Sequence, residues 1–447
     1  IMGILQHGAA IPSGASAYNI DNSLKLERGN SEKLSRTPSS ASNSKTWTYS
    51  FWLKRTQLGI NSYHLEAKGS GDRFFILGFN ENDNLVIYDI YSDDYGKVLR
   101  MKFRDTAAWY HIVLAIDTTD GTAGNRNKFY VNGVLVTDYV TDYGDFPQNH
   151  DTQINKAVVH NIGYRTDINQ YASGYIAETC FIDGAALAPT SFGEFDDNGI
   201  WIPKDPSALT FGTNGFYQEY KSSSALGADT VPGGNSNDYA ASNIAAADQS
   251  TDTPTNNFCT WNPLWQYKYM PTITEGATKV RYTDSTDENA KASIGLTNGK
   301  WYWEAKPVGT IGSQYIGIQT DGDSNLNSAQ GILLNYTMAI NPTGKYYSFA
   351  GSLSESADQG WDLVASDWLG IALDMDSSTQ TIKYYKNGSL IQSVNLISQM
   401  QGETVFPFLQ NYENRSWDIN FGGYTINTIS SAASDADGYG TFEYAPP

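Results

Sequence analysis

At 447 residues the chain is too long for one ordinary hydrophobic core and long enough for two all-β sandwiches, each of which can take about 200–250 residues. Charged residues make up only 17% while Gly (41) and Tyr (30) are abundant, a mixture that suits a turn-rich β protein and argues against a helical enzyme. The formal net charge of −19 is spread along the chain and repels phosphate backbones and anionic lipid headgroups, which removes nucleic acid and membrane insertion from the expected partners.

Residues 1–20 are small, polar and Gly/Ser-containing and are expected to form an N-terminal arm that orders on docking. The opening "IMGILQHGAAIPSG" lacks a basic region and a sustained apolar core, so it does not read as a signal peptide, and no apolar run approaches a membrane span. Residues 21–220 then read as short strands between turns: "TWTYSFWLKR", "RFFILGF", "NLVIYDIY", "VLRMKFR", "WYHIVLAID", "KFYVNGVLV" and "GYIAETCFID". Residues 221–262 are poor in aromatic and branched side chains and are expected to be a polar linker. Strand text resumes over 263–447 with "KWYWEAKPVG", "QYIGIQTD", "GILLNYTMAI", "KYYSFAG", "WLGIALDMD", "TIKYYKNG", "VFPFLQNY" and "SWDINFGG". Cys180 ends an apolar strand and Cys259 lies in the linker, so neither belongs to a disulfide framework, a redox pair or a zinc pattern, and a reducing cytoplasm is the expected site of synthesis.

One phrase is written twice. "WYHIVLAIDTTDGTAGNRNKFYVNGVLV" (109–136) and "WLGIALDMDSSTQTIKYYKNGSLI" (368–391) both run from Trp through an apolar strand to Asp, and then to Lys-aromatic-Tyr-x-Asn-Gly. Alternation points Phe129 and Val131, and Ile382 and Tyr384, inward. Asn132-Gly133 and Asn387-Gly388 tolerate the positive φ that a type I′ hairpin demands. The two halves are therefore expected to share one architecture.

On "TWTYSFWLKR", "WYHIVLAIDTTDG", "KFYVNGVLV" and "HNIGYRTDINQYASGYIAETCFIDGAALAPTSFGEF", the first half resembles laminin-G-like, concanavalin A-like lectin/glucanase domains. On "GKWYWEAKP", "QYIGIQTDG", "DWLGIALDMDSSTQTIKYYKNGSL" and "VFPFLQNYENRSWDINFG", the second half resembles SPRY domains. The tandem, with "LSRTPSSASNSKTW", "SFGEFDDNGIWIPK" and "TDTPTNNFCTWNPL", resembles virion structural proteins of tailed phages, marine ones especially. The resemblance implies an all-β chain of two concanavalin A-like (jelly-roll) antiparallel sandwiches in tandem, made in the host cytoplasm and exposed on the surface of a virion. It also implies partners among other virion proteins and a host-surface glycan or receptor, and a homo-oligomer.

No motif for catalysis stands out, and the catalytic set is expected to be empty. Jelly-roll glycoside hydrolases need a carboxylate pair on one face about 5 Å apart. The nearest match is Asp374 and Asp376 in "IALDMDSS", at a strand end where short acids commonly cap turns. Of the five histidines, His111 lies inside a strand and reads as a structural residue with a satisfied hydrogen bond.

Ligand-binding candidates are the loop residues Arg165, Asp167, Asn169 and Tyr171, and the aromatics Tyr346, Tyr347, Trp361 and Trp417, which could stack on sugar faces if exposed. No cofactor is expected other than calcium, for which Asp321, Asp323 and Asn325 at alternate positions of "DGDSN" offer hard oxygen ligands. The expected function is a non-enzymatic tail or capsid appendage that binds host-surface glycan or protein. The alternatives are a decoration protein that binds other virion subunits and a polysaccharide-degrading glycoside hydrolase.

Overall fold

A computed structural model describes residues 18–90, 94–265, 271–282, 288–309, 312, 314–321, 336–411, 415–436 and 438–447. Antiparallel sheets dominate, and the described helices are single 3-10 turns. The chain divides into two compact units between Asn257 and Phe258.

The first unit is a sandwich of two eight-stranded sheets. The first sheet runs Val134–Val136, Asn127–Val131, Trp109–Asp117, Thr46–Arg55, Gly174–Asp183, Ser23–Leu26 and Gln249–Ser250, with Phe216–Gln218 also paired to Gly174–Asp183. The second runs Tyr139–Asp142, Asp94–Lys102, Asn84–Ile90, Phe74–Phe79, Ser62–Lys68, Val159–Ile162, Lys33–Arg36 and Ala240–Ser242. Between them Trp47, Phe51, Leu77, Ile87, Leu114 and Phe129 form one core. Full burial of each such side chain contributes about 1.5–3 kcal/mol.

The polar segment 221–262 is corrected from linker to covering layer over most of its length, since it belongs to the first unit as far as Asn257. Leu226 and Tyr239 join the core, and Tyr239 meets Phe216 edge-to-face at 5.0 Å. Its acids answer buried lysines: Asp248 lies 2.7 Å from Lys25, and Asp252 lies 2.7 Å from Lys54 while accepting from Trp109 Nε1 at 3.1 Å. An unpaired buried ammonium would be prohibitive, so these carboxylates hold the segment on the sheet. At the other end of the unit Ile20 is buried, and Tyr18 and Tyr217 share a hydrogen bond of 2.6 Å between their hydroxyls. Of the expected arm, residues 1–17 lie outside the described residues.

The second unit pairs a seven-stranded with a six-stranded sheet. The larger runs Thr272–Thr274, Lys279–Arg281, Ser416–Asn420, Lys300–Val308, Leu369–Asp374, Thr381–Lys386 and Ser389–Asn395. The smaller runs Glu288–Lys291, Val405–Asn411, Gln314–Thr320, Thr337–Ile340, Tyr346–Phe349 and Leu353–Glu355. Trp303, Ile318, Ile371, Ile382, Tyr384 and Trp417 lie in the core between them. The C-terminal segment is tied to the larger sheet by Glu304. This buried carboxylate accepts the main-chain N–H groups of Glu443 and Tyr444 at 2.8 and 2.9 Å.

Candidate ligand-binding face

In the second sheet of the first unit, alternation sends Leu65, Phe75, Leu77, Leu85 and Ile87 into the core. Tyr63, Phe74 and Ile76, with Tyr88 and Ile90 against them, form a separate cluster on the opposite face. Two rings there lie across glycines of the neighbouring strand. Tyr63 stands opposite Gly78 and Tyr88 opposite Gly96, where an added Cβ would come within 2.7 Å of Tyr63 Cδ1 and 2.6 Å of Tyr88 Cδ1. Only glycine leaves room for rings laid flat on the backbone. Tyr143 extends the row, its ring 5.7 Å from that of Tyr88 and 52% exposed.

The loop 165–171 lies against these rings. The Arg165 guanidinium sits 4.9 Å from the centre of Tyr63 and 4.7 Å from that of Phe74, and donates to Tyr63 Oη at 3.0 Å. Its Nε and Nη2 grip the two oxygens of Asp167 at 2.7 and 2.8 Å. Burial alone would raise the Asp167 carboxyl, yet the guanidinium holds it below the usual range. Beneath the loop, buried Glu66 accepts from Asn161 Nδ2 (2.7 Å), Thr166 N (2.8 Å) and Thr166 Oγ1 (2.7 Å). These bonds fix where the loop leaves the sheet. Asn169 turns the hairpin at φ 51°, accepting from Tyr164 Oη at 3.1 Å, and Tyr171 faces Tyr164 with ring centres 4.5 Å apart. Ile168 stands 44% exposed at the tip.

Arg165 and Asp167 thus come together on an aromatic face, and Asn169 and Tyr171 shape the hairpin that carries them. The face carries phenol hydroxyls and flat rings, with Arg165 and Asp167 paired to each other, an arrangement able to stack on a ring and hydrogen-bond around its rim. Tyr63, Phe74, Tyr88 and Tyr143 escape a search confined to loop aromatics because three of them are strand residues. The legible signal was the alternate set Phe74, Ile76 and Gly78 of "RFFILGF" and Tyr88 and Ile90 of "NLVIYDIY", which puts large apolar side chains on the face opposite the core set.

The aromatics of the second unit are corrected. Trp417 and Trp361 belong to the core at 0% and 7% exposure, and Tyr346 packs half-buried against it. Tyr347 is buried on the strand Tyr346–Phe349, edge-to-face with Tyr315 at 4.9 Å, and its hydroxyl accepts from Asn341. None of the four offers a free ring, because sandwich interiors take large aromatics from strands and loop ends alike.

For calcium, Asp323 and Asn325 lie outside the described residues, and Asp321 is exposed with Lys291 Nζ 3.6 Å away. Among the described residues no group of three or more His, Cys, Asp or Glu side chains is arranged to hold a metal.

Asp374 and Asp376 serve turns. Asp374 accepts from the N–H of Asp376 and from the N–H and hydroxyl of Ser377 (3.1, 3.0 and 2.7 Å), and Asp376 accepts from Gly299 N at 2.6 Å. His111 is buried between the rings of Trp52 (4.6 Å) and Trp201 (5.9 Å). Trp201 Nε1 donates to its Nδ1 at 2.9 Å, so the ring proton lies on Nε2, 2.8 Å from Ser50 Oγ. Burial depresses its pKa to about 3. A neutral ring with both nitrogens engaged is structural, as its place inside a strand suggested.

A family model of the concanavalin A-like lectin/glucanases superfamily, laminin G type, matches residues 28–189. That stretch therefore carries a concanavalin A-like lectin/laminin G domain. Among solved structures the chain is similar to domains LG4–5 of the mouse laminin alpha1 chain, at 9% identity, 97% of this chain, 96% of that one and a TM-score of 0.31. It is similar also to a human SPRY domain (18% identity, 34% of this chain, 94% of that one, TM-score 0.27). A heptameric SAP-like pentraxin from Limulus polyphemus aligns at 16% identity over 38% of this chain and 80% of that one, with a TM-score of 0.28. No curated protein matches the chain.

Proposed function

We propose that the chain is a non-enzymatic glycan-binding protein whose ligand lies on the outer face of the second sheet of its first sandwich, over Tyr88, Tyr143 and Arg165. The observation that carries this reading is the Arg165 guanidinium locked against Tyr63 and Phe74 by Asp167, on an aromatic face that continues through Tyr88 to the half-exposed ring of Tyr143. A locked fork and flat rings recognise a rigid polyhydroxylated ring with little loss of entropy on binding. The lectin-type domain over 28–189 supports the same ligand class.

We place the protein in the surface appendage of a tailed-phage particle, a setting that rests on the resemblance of the tandem. There it would contact other virion proteins and host-surface glycan, as a homo-oligomer. The test is retention of purified chain on host-surface polysaccharide, together with an assay for released reducing sugar. Wild type should be retained and release no sugar, and Tyr143→Ala should weaken retention by about 1–2 kcal/mol. Cleavage of the polysaccharide would favour a hydrolase. Retention indifferent to Tyr143→Ala and to Arg165→Ala would move the site elsewhere.

A further inference from the structure

The repeated phrase places three residues outside the main cores of both units. In Lys-x-Tyr-x-Asn-Gly-x-Leu the Asn-Gly makes the turn, and Phe129, Val131, Ile382 and Tyr384 fill cores. The remaining three residues lie on the face away from those cores at equivalent register in both units, where Tyr130 packs against a smaller apolar cluster that includes Val113 and Cys180. Tyr130 pairs across the hairpin with Leu135, and Tyr385 with Leu390. Lys128 lies beside Ala115 of the next strand, and Lys383 beside Ala372. Leu135 is 45% and Leu390 55% exposed, and both lysines and both tyrosines are half-buried. Each sandwich thus presents the same ammonium, phenol and isobutyl group in the same order.

Both copies border a free sheet edge. Val134–Val136 ends the first sheet of its unit and Ser389–Asn395 ends the larger sheet of the other, and among the described residues no strand pairs to their outer sides. Sheet edges are usually guarded by charge on the edge strand itself. Neither of these strands contains a charged residue; the lysine stands one strand in. Along these stretches of sequence the charge is also inverted, with Lys386 answered from outside them by Asp367 at 3.2 Å. In a chain of net −19, no acid occurs between Asp120 and Asp138 or between Asp376 and Glu403, while Arg126, Lys128, Lys383 and Lys386 fall inside those stretches.

We propose that the two hairpins are duplicate docking sites for an acidic, extended polypeptide strand. The partner adds to the free edge through main-chain hydrogen bonds, lays an apolar side chain on Leu135 or Leu390, and places a carboxylate near Lys128 or Lys383.

The probe is a fluorescent, capped peptide alternating Glu and Val, titrated into the full chain by anisotropy. It should bind at two sites per chain, and Lys128→Glu or Lys383→Glu should each remove one. The double variant should weaken binding on the order of tenfold or more, since attraction becomes repulsion. Leu135→Ser with Leu390→Ser should weaken it as well, and offers a second route if a charge reversal disturbs folding, which a thermal melt would report. The same peptide methylated on alternate amide nitrogens keeps its charge and should not bind. Retained binding of the methylated peptide, equal competition by dextran sulfate, or indifference to both pairs of substitutions would each overturn the proposal. So would a wild-type dimer in sedimentation that the leucine variants split, because the edges would then belong to a second copy.

Discussion

Asn387 Oδ1 accepts the main-chain N–H of Trp368 at 2.9 Å while the Asn387 N–H donates to Trp368 O at 2.9 Å. Asn132 holds His111 in the same way, at 2.7 and 2.9 Å. Both asparagines are left-handed, with φ 47° and 48°, and both following glycines sit beneath an aromatic ring from later in the chain. The repeated phrase is therefore one three-dimensional device built twice. It also shows that Trp368 corresponds to His111, not to Trp109, a shift required by the pairing of Ile112 with Val131 and of Leu369 with Lys386.

Asn132→Ala and Asn387→Ala should each destabilise their own unit by about 2 kcal/mol, of which about 1 is the lost hydrogen bonding and about 1 the left-handed backbone. Glycine at either position should recover the backbone part. Urea titrations measure this directly, and a loss below about 0.5 kcal/mol would mean the bracket is incidental.

Gly133→Ala should cost more than Gly388→Ala. A Cβ at Gly133 would meet Trp201 Cζ3 at 2.3 Å, and that ring is fixed by its bond to His111 and by Phe195 against it. At Gly388 the Cβ would meet Tyr444 Cδ1 at 2.8 Å, a half-buried ring near the chain's end. Both share the backbone penalty of positive φ, so the difference, at least about 1 kcal/mol, reads the rigidity of the two roofs. Equal costs would show that Trp201 yields as readily as Tyr444.

A fragment ending at Tyr220 should fail to unfold cooperatively, whereas one ending at Asn257 should melt as a single transition. The shorter fragment loses Leu226 and Tyr239 from the core and leaves Lys25 and Lys54 without Asp248 and Asp252. Within the full chain, Asp252→Ala should cost about 3–5 kcal/mol, the penalty for removing the carboxylate from a buried ion pair, even though Lys54 Nζ also donates to Asn257 Oδ1 at 2.8 Å. Calorimetry of the fragments decides whether residues 221–257 complete the domain.

Acid should weaken the first unit partly through His64. Burial depresses its folded pKa to about 3, below the ordinary 6.5 of the unfolded chain. The unfolded state therefore takes the proton first, and this contribution, fully present above pH 6.5, is lost as pH falls toward 3. Glu178, raised by its own burial, has the opposite slope, so the useful quantity is a difference between proteins. His64 lies between Phe51 (5.8 Å) and Phe79 (5.6 Å), where phenylalanine should fit. Relative to His64→Phe, wild type should lose up to about 1.4 kcal/mol per pH unit between pH 6 and 4. Parallel stability curves would contradict the assignment.

The sequence by itself determined the strands and their turns. "TWTYSFWLKR" is the strand Thr46–Arg55 residue for residue, and both Asn-Gly tips are where the positive-φ rule puts them, because alternation and turn chemistry act over a few residues. It also carried the likeness between the halves, since the device at Asn132 and Asn387 is spelled in one short run.

What only the tertiary structure decided depends on which face of a strand another segment covers. Trp417 and Tyr143 are equally aromatic as text, yet one lies at 0% exposure between two sheets and the other at 52% on an outer face. Residues 221–257 read as linker because their contribution is made by isolated side chains, Leu226 and Tyr239 in the core and Asp248 and Asp252 beside buried lysines, and each matters only where the fold brings its partner near. The binding face was half legible, through Arg165 and Asp167, and half hidden. Tyr63 lies flat because Gly78 of the next strand is its cross-strand neighbour, and that register, shifted by a bulge between Tyr63 and Leu65, is set by the pairing and not by either strand alone.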